Sequence, residues 1–464
     1  MSDDSSGIAN LQRAFEGLRA ALLRDGGLTL DQRRGALKTL RRTLIDHADD
    51  YVKAIDADFR GRSRHETLLT EVAVTLSAID DTLSHLKRWA APKPIRLGFP
   101  FWPATAELRP QPRGIAGIVS PSNYPLQLTM MPLIGALSAG CRVLVKPSEM
   151  TPRTAALIAS HLGSAFDASL VAVVTGDADV AAALTALPLD VLHFTGSSRV
   201  GAIVSEAAAK HMTPVVLELG GKSPVIVDIS ADLDVAAEAI VAGKLINAGQ
   251  TCVAPDYVYV PHEKKASLIE ALRKAAIKLY PRPENGDYSA IASDRALARQ
   301  HELEKSLDAL PLFETQLRPP YHTPKVILSP PDDSAVMTEE IFGPLLPVIG
   351  YTSIDEAIAH IRALPAALVV YWFGCDNDRL DEVISRTRSG AVSVNETVLH
   401  AGINALPFGG IGASGIGRYH GKAGFDTFSI ERVIFRQSRW SITRLMRPPY
   451  GQTADRILRF LLRK

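Results

Sequence analysis

Apolar residues recur at helical spacing from the start of the chain. Ile8, Leu11, Phe15, Leu18 and Leu22 share one face, and Leu37, Leu40, Leu44 and Tyr51, then Val72, Leu76, Ile79, Leu83 and Leu86, repeat the pattern. The spacing predicts three amphipathic helices. Ala91-Pro92-Lys93-Pro94 ends the third, and the proline-spotted stretch 100–112 reads as an extended arm or hairpin, because proline breaks a helical hydrogen-bond ladder. From Gly114 the period shortens. Stretches 115–119, 142–146, 171–175 and 191–195 read as buried strands, with helices between them, one opening at Thr151-Pro152 with a capping residue and a first-turn proline. This alternation predicts an α/β fold with a doubly wound, Rossmann-like parallel sheet. Such sheets bind ligands at the carboxyl ends of their strands, so loops 120–125, 147–149 and 196–201 are expected to line one crevice suited to a nucleotide. A second β/α region is expected from Val215 to Val394.

Composition narrows the classes. The chain has 464 residues, 46% of them hydrophobic, enough for two or three domains with real cores. Lys plus Arg is 51 and Asp plus Glu is 50, so no global field draws it to nucleic acid or to an acidic membrane face. Three widely spaced cysteines, Cys141, Cys252 and Cys375, argue against a disulfide framework and for a reducing compartment. The twelve histidines show no His-x-x-x-His spacing and the cysteines no Cys-x-x-Cys, so no metal site is expected. The polar, acidic start Met1-Ser2-Asp3-Asp4 is unlike a signal peptide, and no apolar run reaches the ~18 residues of a spanning helix. A cytoplasmic protein is the expectation.

Three groups carry candidate chemistry. In Asn247-Ala248-Gly249-Gln250-Thr251-Cys252-Val253, small residues precede a thiol and leave room for another group to approach; Cys252 is either an inert core cysteine or a nucleophile. Glu218 ends the apolar run Val215-Val216-Leu217, where a carboxylate is costly unless it caps a strand at the surface or lines a cavity as a base with a raised pKa. Gly196-Ser197-Ser198-Arg199-Val200-Gly201 follows a strand and opens a helix, which suits phosphate on backbone N–H groups. The literal G-x-G-x-x-G at Gly410-Ile411-Gly412-Ala413-Ser414-Gly415 lacks the strand-turn-helix context of a dinucleotide fingerprint and is read as a flexible loop or a loop closing over a substrate entrance.

Seven blocks then fall in a familiar order: Ser120-Pro121-Ser122-Asn123-Tyr124-Pro125, Lys146-Pro147-Ser148-Glu149, Phe194-Thr195-Gly196-Ser197, Glu218-Leu219-Gly220-Gly221-Lys222, Gly249-Gln250-Thr251-Cys252, the stretch 339–344, and Pro407-Phe408-Gly409-Gly410. Together they resemble the NAD(P)-dependent aldehyde dehydrogenases over nearly the whole chain. Arg64-His65-Glu66-Thr67, Ala254-Pro255-Asp256-Tyr257 and Gly417-Arg418-Tyr419-His420-Gly421 look most like the coniferyl aldehyde dehydrogenase branch, near the dimeric enzymes of aromatic and fatty aldehydes. The resemblance implies Cys252 as nucleophile, Asn123 with the Cys252 N–H as oxyanion hole, and Glu218 as the base that hydrolyses a thioester formed by way of a thiohemiacetal. It implies Lys146 and Glu149 at the adenine ribose of NAD or NADP, Ser197 at the pyrophosphate, Glu340 at the nicotinamide ribose and Phe342 against the ring, with Gly196 and Gly201 shaping the helix start. Tyr124 and Phe408 are expected in the substrate pocket.

The family fold would place the cofactor domain at 1–99 and 114–214, the catalytic domain at 215–396, oligomerisation elements at 100–113 and 425–440, an active-site closing loop at 397–424 and a terminal segment at 441–464. Two departures stand out. Ser122 replaces the family's tryptophan near the cofactor phosphates, and 293–323 is shortened, which is expected to trim a surface loop without touching the mechanism. In the terminal segment Ile457, Leu458, Phe460, Leu461 and Leu462 alternate with Arg456, Arg459, Arg463 and Lys464 as a short basic amphipathic helix. It is expected to pack on the partner of a homodimer or beside the substrate mouth; ~12 residues without a lipid anchor would touch a membrane surface only weakly. Two other readings remain open: a cofactor-independent thiol esterase or acyltransferase, and an inactive protein on the same scaffold.

Overall fold

The computed structural model describes residues 4–98, 101–441, 443–444 and 447–462. Met1 to Asp3, Pro100 at the expected start of the arm, and Arg463 and Lys464 of the terminal helix lie outside the described residues.

A six-stranded sheet takes the order Gly415–Ile416, Val215–Leu219, Val191–Gly196, Ile115–Val119, Arg142–Lys146 and Val171–Val173, parallel except for the first pair. Period-two side-chain direction divides its central strand between two cores. Ala116 and Ile118 pack with Leu37, Leu40 and Leu44 of helix Leu30–Asp46 and with helix Gln127–Ala139. Ile115 and Val119 pack with Leu11, Phe15 and Leu18 of helix Asp4–Asp25. Burial on both faces explains why these strands read as continuous apolar runs.

The second sheet has seven strands, ordered Ala309–Pro311, Lys325–Leu328, Leu345–Tyr351, Tyr257–Pro261, Pro224–Val227, Ala367–Phe373 and Ser389–Val394, with only the first pair antiparallel. A third sheet joins Lys93–Ile95, Thr105–Pro112 and Ser429–Arg436, so the proline-spotted stretch is one arm of an antiparallel hairpin.

Several expectations are corrected. The second amphipathic stretch is two helices, Leu30–Asp46 and Ala48–Phe59, broken at His47. The third begins earlier, at Arg64, and carries a π-helical turn over Leu68–Ala73 that helical periodicity does not reveal. Thr151 precedes helix Pro152–Ala165 but its side chain caps nothing. Strand Val215–Leu219 belongs to the first sheet, paired with Val191–Gly196, so the first sheet extends past the boundary expected at 214/215. The segment 397–424 is not a single loop: it holds a helical turn at Leu399–Gly402, the strand Gly415–Ile416 and the start of helix Gly421–Thr427. Its G-x-G-x-x-G is therefore an edge hairpin, with Gly412 bridged to Gly415 and the Ser414 hydroxyl bonded to Ala367 O (3.3 Å) on the second sheet. The terminal helix forms over Gln452–Leu461, and Phe460 is 80% exposed.

Phe428 ties the third sheet to the first. It is fully buried, its ring fills the space left by Gly135, and its carbonyl accepts from Arg113 N (3.1 Å) and Cys141 Sγ (3.3 Å). Phe428→Ala should cost roughly 3–5 kcal/mol and lower the thermal midpoint, as a buried aromatic truncation does; an unchanged melt would show that this contact holds nothing together.

Candidate functional site

The site begins where helix Leu233–Leu245 ends. Asn247 and Ala248 follow in the left-handed region, both at φ 51°, and Gly249 at φ 76°. Two consecutive non-glycine residues there are strained, so the surroundings must hold them. Asn247 N donates to Glu66 Oε2 (3.1 Å), while Asn247 Nδ2 donates to Asn123 O (3.0 Å) and Gln250 O (3.1 Å). Gln250 Nε2 donates to Asn247 O and Ala290 O (3.0 Å each), and its Oε1 accepts from Ala292 N (2.9 Å). Gly249 is required by contact as well as by φ: a Cβ there would lie 2.3 Å from Gly343 O. This is the close approach that the small residues before Cys252 allow.

The loop after strand Ile115–Val119 meets this turn from the other sheet. Asn123 Nδ2 donates to Gln250 O (3.1 Å), and Tyr124 OH lies 2.6 Å from Thr251 Oγ1. Asn123 and Cys252 are thus fixed to one another by neighbours of each.

Two cavities open on Cys252. A larger one, about 660 Å³, is lined by Ser122, Asn123, Gly196, Ser197, Glu218, Glu340, Phe342, Phe408 and Arg299 as well as Cys252. A smaller one, about 230 Å³, is lined by Tyr124, Leu69, Thr70, Val74, Val398, Leu399 and His420. Cys252, Leu128, Phe408 and Tyr419 line both. Lys146, Glu149 and Gly201 are not among the residues lining the larger cavity. Buried Lys146 forms an ion pair with Glu149, and Gly201 lets helix Ser198–Ala209 pack on Leu219, whose Cδ2 would lie 2.6 Å from an added Cβ.

Sequence reasoning missed several of these residues. Leu69, Thr70 and Val74 reach the smaller cavity on or beside the π-helical turn, which leaves no periodic signal. Tyr419 and His420 sit in a segment singled out only for its resemblance. Arg299 and Gln300 fall within the shortened stretch 293–323, which is more than a surface loop: Arg299 donates to Ile341 O and Glu340 O (2.9 Å each) and Gln300 Nε2 to Ile341 O (3.0 Å). The Glu340 loop hangs from helix Asp294–Glu304 through these bonds. On its other side Lys222 is paired with Asp256, which accepts from Ile341 N (3.0 Å).

Burial sets the resting protonation. Glu218 sits buried in its strand with neither carboxylate oxygen hydrogen-bonded, and desolvation lifts its pKa well above the carboxylate range against the pull of Arg418. Glu340 is pushed up to about 8, by burial first and Asp256 second. Cys252 is pushed up to about 12 by burial and then by Glu340 and Glu218, while the backbone N–H groups of Cys252 and Val253 draw it down. Burial thus favours the protonated form of each group.

Outside the cavities, two groups of three among the described residues bring histidine and carboxylate ligand atoms within 4.8 Å of one another. In one, His47 and His161 stack with ring centroids 3.7 Å apart beside Asp50. Glu304, beside His301 and His322, is already neutralised by Lys325 Nζ at 2.8 Å.

A strained turn presenting a thiol, beside a side-chain amide from another sheet and facing a buried carboxylate across a nucleotide-sized cavity, is a site for acyl chemistry coupled to a cofactor. The chain belongs to the aldehyde dehydrogenase family, whose model matches residues 5–434. It is thus an oxidoreductase that converts an aldehyde to the acid with a pyridine nucleotide. It is 43% identical to a probable coniferyl aldehyde dehydrogenase of Pseudomonas aeruginosa, over 97% of this chain and 96% of that one. It is 40% identical to the 4,4'-diaponeurosporen-aldehyde dehydrogenase of Staphylococcus aureus, over 90% and 92%. The solved substrate-bound state of Staphylococcus aureus AldH superposes with TM-score 0.93 at 36% identity, over 97% of this chain and 99% of that one.

The raised thiol pKa makes a direct prediction. Iodoacetamide alkylation of Cys252 in the free enzyme should accelerate about tenfold per pH unit from pH 7 to 10, because only thiolate reacts and its fraction grows up to the folded pKa. A rate already level near pH 7 would mean that the resting sulfur is a thiolate.

Proposed function

We propose that this enzyme oxidises an aromatic or medium- to long-chain aldehyde with NAD or NADP, using Cys252, Asn123 and Glu218. The observation that carries this is the position of Cys252 on the wall shared by the two cavities. The larger has a helix N-terminus at Gly196-Ser197 and a half-buried carboxylate at Glu340; the smaller is apolar, with Tyr124, Phe408 and Tyr419. The naming of a relative for coniferyl aldehyde favours an aromatic substrate.

The residues of the larger cavity fit a dinucleotide. Gly220 lacks a Cβ where one would meet Glu340 Oε2 at 1.9 Å, so the carboxylate lies against bare backbone, where it accepts from the Gly221 N–H and lines the cavity that ribose hydroxyls would enter. Ser197 caps its helix, and the N-terminal amides beside it suit a pyrophosphate. Glu340 would hold the nicotinamide ribose, Phe342 the ring, Ser197 the pyrophosphate, and Lys146 with Glu149 the adenine ribose. When bound, the nicotinamide accepts the hydride. The absence of an indole at Ser122 loosens the phosphate end.

The protein's own groups then act in order. The Cys252 thiol loses its proton to solvent, its thiolate sulfur bonds to the carbonyl carbon, and the oxygen takes the displaced electron pair as an alkoxide, held by the Asn123 amide and the Cys252 N–H; one such donor is worth about 3 kcal/mol in the transition state. Collapse of this thiohemiacetal expels hydride and leaves a thioester on sulfur. Glu218, once deprotonated, takes a proton from water, the new hydroxide bonds to the acyl carbon, and the carbon–sulfur bond breaks to free the acid.

The three-stranded sheet ends in an uncovered edge strand, Ser429–Arg436, with Val433 68% and Phe435 49% exposed. An apolar unpaired edge invites a second copy. A cytoplasmic homodimer completes the reading, with the terminal helix against the partner. No helix among the described residues is long and apolar enough to cross a membrane.

Mixing enzyme, nucleotide and an aromatic aldehyde should raise the absorbance of reduced nicotinamide. Cys252→Ala should remove it, and Glu218→Gln should give a burst of about one equivalent followed by turnover slowed roughly 100-fold or more; a full steady-state rate in Glu218→Gln would remove Glu218 from the hydrolytic step. Steady ester hydrolysis with no aldehyde oxidation by either nucleotide would replace this reading with a thiol esterase. In sedimentation, Val433→Asp should shift a dimer towards monomer, and a wild type already monomeric would sink the assembly.

A further inference from the structure

We propose that Arg62 is a positioning residue for the oxyanion side of the site, holding the Asn123 backbone so that its amide faces the reacting carbonyl. The proposal rests on the reading of Asn123 as an oxyanion donor.

Arg62 follows helix Ala48–Phe59 and its side chain has no exposed surface. Its Nη1 donates to Asn123 O at 3.1 Å, the same oxygen that accepts from Asn247 Nδ2 at 3.0 Å. The guanidinium also lies between two rings, 5.0 Å from the centroid of Phe59 and 4.9 Å from that of Tyr124. Tyr124 is bonded to Thr251, next to Cys252. Arg62 therefore touches both members of the Asn123-Tyr124 pair, one through the backbone and one through the ring face.

The charge is compensated in the same place. Glu66 Oε2 lies 3.6 Å from Arg62 Nε and Glu71 Oε1 3.9 Å from Nη2. Burial raises the pKa of both acids and Arg62 opposes it. Both also carry hydrogen bonds that the site needs. Glu66 accepts from Asn247 N, and Glu71, on the π-helical turn, accepts from Leu126 N (2.7 Å) and Gln127 N (3.2 Å) at the start of helix Gln127–Ala139. Arg62 is the cation between two carboxylates, one gripping the nucleophile turn and the other the loop that bears Asn123.

Among the described residues Asn123 makes no other side-chain bond than that to Gln250 O, so its second amide hydrogen is aimed only as well as its backbone is held. A lysine at position 62 keeps the charge but loses the planar fork that reaches the carbonyl while stacked between two rings. A displacement of about 1 Å at such a donor costs on the order of 100-fold in rate.

The test is a double-mutant cycle on kcat and KM with Arg62→Lys, Arg62→Gln and Asn123→Ala, read with aldehyde and separately with an activated ester. Arg62→Lys should lower kcat by roughly 10- to 100-fold with both substrates, leaving the nucleotide Kd, the melting midpoint and the Cys252 alkylation rate close to wild type. In the Asn123→Ala background it should add less than about twofold, since two groups acting through one donor are not additive. Arg62→Gln, which leaves two acids without their cation, should melt earlier and be no better in kcat. Losses that multiply in the double variant, a slowed alkylation, or an effect confined to KM would overturn the proposal and leave Arg62 as a structural cation. A wild type that hydrolyses ester but oxidises no aldehyde overturns the proposed function alone, and the cycle then decides on the ester; a wild type inert to both overturns the two together.

Discussion

The structure depends on one junction, the exchange of hydrogen bonds between the Asn123 peptide and the Asn247–Gln250 turn. The thiol and the amide belong to loops of different sheets, and no strand runs between them. What fixes their distance is that Asn247 Nδ2 reaches both Asn123 O and Gln250 O, while Asn123 Nδ2 returns to Gln250 O. Every member is buried, so breaking one bond strands a polar group at a cost of about 1–3 kcal/mol. The strain at Asn247 and Ala248 is stored against this lattice, which over-determines the turn.

The same burial that makes the junction strong makes the site electrically quiet. Cys252, Glu218 and Glu340 line one cavity, and a charge on either carboxylate raises the cost of a charge on the sulfur. Burial favours the thiol form of Cys252 over the reactive thiolate. Ionisation of the sulfur then depends on the backbone N–H groups of Cys252 and Val253 and on whatever positive charge enters the cavity.

Much of this was legible in the sequence, for identifiable reasons. Buried parallel strands read as apolar runs, so 115–119 and 142–146 are placed to the residue. Gly249, Glu218 and Cys252 are legible because each is expensive or odd where it stands: a glycine in a crowded turn, an acid at the end of a strand, a thiol after small residues. The arm, too, is legible from its prolines. What periodicity cannot carry is a change of helical pitch or a partner remote in sequence. The π-helical turn that delivers Glu71 and Leu69, the antiparallel return of Gly415–Ile416 onto the first sheet, and the hold of Arg299 on the 339–343 loop are all of this kind. Lys146 and Glu149 are the reverse case, matched by motif yet paired with one another away from the residues around Cys252.

The two cavities also bear on the order of events. A hydrolytic base and a hydride acceptor cannot both stand at the acyl carbon, and Glu218 lines the same cavity that the nucleotide would fill. Water activated early would hydrate the aldehyde or compete for Glu218 while the carbon still carries its hydrogen. Burial favours the protonated form of Glu218, and in the proposed role that proton would have to leave before water is activated. Under the proposed function, aldehyde entering along the apolar cavity past Tyr124 and Val398 would meet sulfur first. Substrate and base would then reach Cys252, one of the four residues that line both cavities, from different sides.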